Sequence, residues 1–422
     1  MRTLSSVLFV GLVISSGAGC KWTDFDDLEA EAWVTSTEKP NTASTDFGIA
    51  LARGSRSSTN GGTLVAIASG KPQYLELGYA ANGDVDASNT LMLETVSAVQ
   101  TFDQQPIVIS DPASDEVSLV AASAAGGIAV LHGAGGLGLH SIGGPAQVDA
   151  ATYMLPPPSG NNPSPVTAPL VGAIDSVYGS FFTQGTAPSM LKCQLLDGVG
   201  GMPVQIRGLG AARITSTTAD DVVVWGTIGP SPSDSWVFIY SGDVFNGNAG
   251  TCAGGTATPL ASANITFVPG LGSQIIMVDA THALLAGHGD GADSYIALWD
   301  VSPNAGVAQT PTIIGDAVTL PNLRTATVLD LDAQKYVFAG YPNDVVEGVK
   351  AGRVLGLPLT LTTGVGAVPA LELHDAQPEE DQVYGRALAV TQFNGKPVLA
   401  VAADNEVFMY FRTTLYDETR DK

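Results

Sequence analysis

One short pattern returns seven times along this chain, and a repeat of that kind restricts the possible folds more than any single motif does. Each unit has a strand-like run, then a β-rich run ending in Ala or Gly beside a turn, then another strand a few residues later. The middle runs are Thr63–Gly70, Val117–Ala125, Pro169–Asp175, Val222–Pro230, Ala283–Gly289, Lys335–Pro342 and Pro397–Asp404. The runs that follow them are Gln73–Gly78, Gly127–His132, Met190–Leu196, Trp236–Ser241, Tyr295–Trp299, Arg353–Leu357 and Glu406–Phe411. A spacing of roughly 40–65 residues, with about four short strands per unit, predicts a β-propeller. The expected fold is therefore all-β: a seven-bladed propeller of four-stranded antiparallel blades over residues 32–415.

Composition agrees with that expectation. Hydrophobic residues make up 45% of the 422 positions and charged residues 14%, which sets the chain apart from disordered ones. The 49 glycines and 25 prolines suit many tight turns between short strands. Apolar residues come in β-branched runs or alternate, and amphipathic helical spacing is nearly absent. The formal net charge of −23 repels nucleic acid and anionic headgroups, so no nucleic-acid partner is expected.

Arg2, the apolar run Val7–Ile14 and the small residues Ser15–Gly19 before Cys20 read as an export signal over residues 1–19. The apolar run is too short to span a bilayer. The segment resembles a bacterial lipoprotein signal, with Gly17 where that family usually carries Leu. The resemblance implies acylation of Cys20 (palmitate among the chains) and a lipid anchor at the cell envelope. An ordinary secretory signal cleaved nearby is the alternative. Residues 20–31, with Asp24, Asp26, Asp27, Glu29 and Glu31, read as an acidic tether. Lys21 follows Cys20 where an Asp commonly marks inner-membrane retention, so the outer membrane is the expected location, on its periplasmic side or its surface.

Two further cysteines, Cys193 and Cys252, sit in a disulfide-permissive compartment if the chain is exported. Cys193 is placed on the third strand of the third repeat and Cys252 in the Gly-rich insertion Gly247–Gly255. They bond if neighbouring blades touch there; otherwise Cys193 is a buried thiol and Cys252 an exposed one.

Asp46-Phe47-Gly48 opens the first repeat, Tyr384-Gly385-Arg386 opens the last, and Gly340-Tyr341-Pro342 ends the middle run of the sixth. With the strand spacing, these residues resemble the FG-GAP repeats of the integrin α-chain N-terminal propeller and its bacterial relatives, over roughly Trp33 to Arg412. The resemblance implies an aromatic packed between adjacent blades, and a ring closed by an N-terminal segment. The last repeat ends after its third strand, so Ala32–Ser36 is expected to pair antiparallel with Val407–Arg412, leaving 416–422 as a tail. The calcium loops of that family lack carboxylates at Gly54–Gly62 and Phe393–Lys396, and Asp220-Asp221 and Asp330-Leu331-Asp332 supply too few oxygens. No structural calcium, other metal or cofactor is expected.

No catalytic motif stands out. His132, His140, His282, His288 and His374 show no HxxxH or HExxH spacing, and Gly-x-Ser-x-Gly is absent. Binding is expected on the face shared by second-to-third-strand loops and inter-blade loops: Asp175–Pro188, Gly229–Asp234, Pro342–Gly352 and His374–Val383. Asp344, Glu347, Glu379, Glu380 and Asp381 make that face acidic, and the Pro-rich Pro156–Pro169 lies opposite. The expected function is an envelope-anchored adhesion or scaffold protein binding a protein or glycan. Two alternatives stand beside it: an envelope glycan lyase or hydrolase with axial carboxylates, and a structural subunit of an envelope complex.

Overall fold

The computed structural model describes residues 34–38, 47–53, 63–68, 73–78, 91–94, 107–111, 116–123, 126–132, 136–141, 148–155, 166–181 and 189–411, with breaks at 216–218, 230–234, 246–250, 267–272, 288–293, 332–333, 376–377 and 394–395. The signal segment, Cys20, the acidic tether, Trp33, Gly54–Gly62, His288–Asp293 and the tail lie outside the described residues.

The first described strand, β1 (Val34–Glu38), precedes a series of mainly antiparallel sheets. The first sheet holds β2 (Ala50–Arg53), β3 (Thr63–Ala68), β4 (Gln73–Gly78) and β5 (Leu91–Glu94). The second holds β6 (Ile107–Asp111), β7 (Glu116–Ser123), β8 (Gly127–His132) and β9 (Gly136–Ser141). The third is built on β10 (Val148–Leu155), β11 (Val166–Ala173), β12 (Ser176–Phe181) and β13 (Ser189–Leu195). In the fourth, β14 (Val204–Ala212), β15 (Asp221–Ile228) and β16 (Ser235–Tyr240) are followed by an excursion through β17 (Thr251–Ala257) before β18 (Ala261–Ile265) completes the sheet. The fifth has β19 (Gln274–Met277), β20 (His282–Gly287) and β21 (Tyr295–Asp300). A small ribbon, β22 (Pro303–Asn304) with β23 (Val307–Ala308), then leads to the outer strand β24 (Thr312–Thr319). The sixth has β25 (Thr325–Leu331) and β26 (Gln334–Tyr341), then the ribbon β27 (Val345–Val346) with β28 (Val349–Lys350). It continues through β29 (Arg353–Thr360), β30 (Gly364–Val365) and β31 (Leu371–Leu373). The seventh has β32 (Ala387–Phe393), β33 (Lys396–Ala403) and β34 (Glu406–Phe411). Among the described residues no sheet closes on itself, and the one helical element is a 3-10 turn at Gly242–Phe245.

The seventh sheet takes its fourth strand from the other end of the chain. β1 pairs antiparallel with β34, from Val34 opposite Tyr410 to Glu38 opposite Glu406. Val34–Ser36 of the expected segment lie opposite Tyr410–Phe408, inside Val407–Arg412, and the pairing runs on to Glu38; Ala32, Trp33 and Arg412 lie outside the described residues.

The first strand of each sheet touches the first strand of the next. β2 meets β6, β6 meets β10, β10 meets β14, β14 meets β19, β19 meets β25, β25 meets β32, and β32 meets β2 again. Alternation along the middle strands explains why these runs are almost wholly apolar. Val222 and Val224 are buried against the third sheet with Leu170, Val177 and Leu195, whereas Val223 and Trp225 are buried against the fifth with Ile275, Leu285 and Trp299. A strand with both faces covered has no side left for polar residues. Leu399 and Val401 likewise pack on the sixth sheet, while Val398, Ala400 and Ala402 pack with Phe47 and Leu51 near the start of the chain.

Phe47 and Tyr384 are both buried, and each precedes a glycine of positive φ, Gly48 at 82° and Gly385 at 83°. Tyr384 packs on Phe338 and Val354 of the preceding sheet. Phe47 packs on Val407 and Met409 of the seventh sheet, which takes the place of a preceding one. Gly340 lies so close to the Gly385 carbonyl that an added Cβ would sit 2.0 Å from that oxygen. Backbone blocks the site, so Gly340→Ala is expected to cost about 1–3 kcal/mol. The measurement is the urea midpoint, which should fall with the slope unchanged.

The third sheet departs from expectation twice. Ser176–Phe181, expected inside a long loop, is strand β12, because Ile174-Asp175 turns tightly (Ile174 at φ 55°) and Val177 and Tyr178 are buried. Cys193 therefore lies on the fourth strand of this sheet, not the third. The sheet also gains a fifth strand: β17 crosses back from the fourth repeat and pairs parallel with β13, so this unit is neither four-stranded nor wholly antiparallel. Phe245 and Cys252, buried in the same cluster as Leu191 and Leu195, anchor the crossing against the glycines that suggested a loop. Of the Pro-rich stretch, Val166–Pro169 is already inside β11, and residues 156–165 lie outside the described residues.

Candidate binding face

The connection from β26 to β29 folds as a protruding ribbon. Glu347 (φ 51°) and Gly348 (φ 91°) form its two-residue turn, a geometry that matches the twist of paired strands. The connection from β31 to β32 runs beside it. The Asp381 N–H donates to the Lys350 carbonyl at 2.8 Å, the Tyr384 N–H donates to the Ala351 carbonyl at 2.8 Å, and the Lys350 N–H donates to Glu380 Oε2 at 3.3 Å. Asp344, Glu347, Glu379, Glu380 and Asp381 are thus brought onto one surface by two loops that backbone hydrogen bonds hold together.

The charge there is partly compensated by residues that the sequence reading did not single out. Arg353 Nε donates to Asp344 Oδ2 at 2.9 Å, and its Nη1 donates to Glu372 Oε1 at 3.0 Å. Burial opposes the Arg353 charge, but Glu372 and Asp344 outweigh it and push the pKa up. Lys350 Nζ is 3.8 Å from Asp381 Oδ1, and Arg386 Nη1 is 3.7 Å from Asp404 Oδ1. Glu347, Glu379, Glu380 and Asp381 are all exposed. The Lys350–Asp381 pair is the more exposed of these pairs, and an exposed pair adds little stability.

Under the ribbon lies Tyr341, whose hydroxyl is buried without a hydrogen-bond partner. Burial first, and the Asp344 carboxylate second, push its phenol up. Arg386 reaches the other end of the chain: Nη2 donates to the Phe47 carbonyl at 2.5 Å and Nε to the Gly48 carbonyl at 3.3 Å. Its place directly after Tyr384-Gly385 is the sequence signal that marks it.

The remaining candidates are dispersed. His282 Nδ1 lies 2.9 Å from Asp279 Oδ1 in a tight turn, and His374 Nδ1 lies 2.7 Å from the Asp375 carbonyl. Burial opposes the Asp279 charge, but the N–H of Thr281 and the side chains of His282 and Thr281 hold its carboxyl below the usual value. Asp221 is fully buried and accepts from the Thr215 N–H (2.5 Å), the Thr215 hydroxyl (2.8 Å) and the Gly242 N–H (2.9 Å). Its carboxylate is a structural acceptor that holds two turns together. Asp330 is paired with Lys335 Nζ at 2.7 Å. Among the described residues no three His, Cys, Asp or Glu side chains group as metal ligands.

Cys193 and Cys252 are bonded to each other, with their Cα atoms 5.4 Å apart. The bond staples β17 to the outer edge of β13. Around it, the Leu196 N–H donates to the Ala257 carbonyl at 2.8 Å and the Tyr240 hydroxyl donates to the Leu196 carbonyl at 3.0 Å.

No protein-family model matches this chain, and no curated protein matches it. Among solved structures, the chain is similar to one from a humanized mutant of the Chaetomium thermophilum Polycomb Repressive Complex 2 bound to the inhibitor GSK343. The identity is 10% and the TM-score 0.49, over 90% of this chain and 97% of that one.

Proposed function

We propose that this protein is an exported, lipid-anchored seven-bladed propeller that binds a protein or glycan partner at the cell envelope. The observation that carries the reading is the cycle of contacts among first strands, in which β32 returns to β2. The pairing of β1 with β34 supports it, because an open arc leaves no reason for the two ends of the chain to share a sheet. The positions of Phe47-Gly48 and Tyr384-Gly385, each wedged on the sheet before it, favour an FG-GAP-like repeat. The face supports the binding reading: two tied loops present exposed Glu347 and Glu379, while Asp344 is engaged by Arg353, and Glu380 and Asp381 by Lys350.

The anchor rests on Cys20. Cells fed labelled palmitate are expected to label the wild-type protein and recover it with membranes, whereas Cys20→Ser yields an unlabelled precursor. A wild type that takes up no label sinks the anchor. The partner is sought by co-purification from native membranes with Glu347→Lys/Glu379→Lys as the comparison. Recovery of the same partner by both forms would place binding elsewhere.

A further inference from the structure

We propose that Arg207, on the inner edge of the fourth sheet, is an anion-binding residue that takes the carboxylate of a bound ligand. β14 pairs with β15 along one edge and with no strand along the other among the described residues. The ladder slips between Ile206 (opposite Gly226) and Gly208 (opposite Trp225), so Arg207 is the extra residue of a β-bulge. Bulges of this kind re-aim a side chain. The positions around it are occupied on both flanks. Ile206 and Leu209 meet the third sheet at Gly172, and Gly208 and Gly210 lie against Ile275 of the fifth.

Arg207 is half-buried, and its Nε is buried with no acceptor among the described residues. The other described arginines all have partners: Arg213 with Asp220, Arg353 with Asp344 and Glu372, Arg386 with Phe47, Gly48 and Asp404, and Arg53 and Arg324 as well. A chain with 41 acidic and 18 basic residues has ample carboxylates, yet among the described residues none is paired with the Arg207 Nε. A buried charged donor without an acceptor is costly, and a planar guanidinium fits a carboxylate in a two-bond fork. The acceptor is therefore supplied by the ligand.

This inference rests on the binding reading above for its biological ligand, and it is tested separately. Melting temperature is measured with sodium acetate and sodium glucuronate against sodium chloride at constant ionic strength. A ligand that binds the folded state raises it with concentration. The wild type and the control Arg213→Gln are expected to rise with both carboxylates, and Arg207→Gln to stay flat. Should Arg207→Gln fail to fold, Arg207→Lys keeps the charge but loses the fork, and half-saturation should move up roughly tenfold. A wild type indifferent to carboxylates, or an Arg207 variant that responds as the wild type does, overturns the proposal. If partner capture through Glu347 and Glu379 persists in that case, the binding reading stands and the anion site alone falls.

Discussion

Deleting residues 21–40 is expected to destabilise the protein by roughly 5 kcal/mol, while deleting 416–422 leaves stability within about 0.5 kcal/mol of wild type. The first deletion removes β1, which supplies the outer strand of the seventh sheet along the whole register from Val34 to Glu38. Each cross-strand pair is worth about 0.2–1 kcal/mol, and further loss comes from what those pairs hold. β34 becomes a bare edge, and an unpaired edge invites pairing with other chains. The seventh sheet also carries Val407 and Met409 against Phe47, so loosening it loosens the first sheet as well. The deletion should therefore lower the urea midpoint and raise aggregation together. Equal midpoints for the two truncations would mean that β1 contributes nothing to the fold in solution.

Replacing Cys193 and Cys252 together by Ser is expected to cost about 4 kcal/mol, in line with a cross-link closing a loop of this length. The two residues are 59 apart in sequence, and both are fully buried in the cluster between the third and fourth sheets. The loss has a local consequence. β17 makes an irregular parallel pairing to β13, with the register shifting between Lys192 and Gln194, so the bond supplies much of its attachment. Amide exchange in Thr251–Ala257 should then accelerate more than in β15 or β16. A double variant that melts like the wild type, with β17 still protected, would show that Phe245 and the surrounding hydrogen bonds suffice.

Much of the architecture is legible in the chain because the middle strands are buried on both faces. A run such as Val222–Trp225 has to be apolar throughout, and its recurrence marks the repeat. The boundaries of β4, β8 and β34 coincide with the runs Gln73–Gly78, Gly127–His132 and Glu406–Phe411. What escapes the sequence is decided by tertiary packing. Ser176–Phe181 carries Ser176, Gly179 and Ser180 and reads as a loop, yet Val177 and Tyr178 are buried and make it a strand. Thr251–Ala257 holds two consecutive glycines and pairs with a sheet from the previous repeat, a long-range choice that no local pattern encodes.

The candidate face is legible only in part. The spacing of Asp344, Glu347, Glu379, Glu380 and Asp381 places their loops on one side, and the hydrogen bonds from Asp381 and Tyr384 to the ribbon join them. The compensating cations are not legible, because Arg353 belongs to the start of a strand and reaches Asp344 and Glu372 only once β29 and β31 are paired. Arg207 is hidden for the same reason: a bulge is a property of two strands together, and nothing in Val204–Ala212 alone announces it.

The pairing of the two ends of the chain is tested most directly by a cross-link. Glu38 and Glu406 lie opposite each other in the register of β1 and β34. In a Cys20→Ser background, the double variant Glu38→Cys/Glu406→Cys is expected to form a second disulfide under mild oxidation, found by mass spectrometry as a peptide joining residues near 38 to residues near 406. Glu38→Cys paired instead with Glu94→Cys, on the outer strand of the first sheet, should stay reduced. Free thiols in the first variant, or equal cross-linking in both, would contradict the closure of the fold by its N-terminal strand.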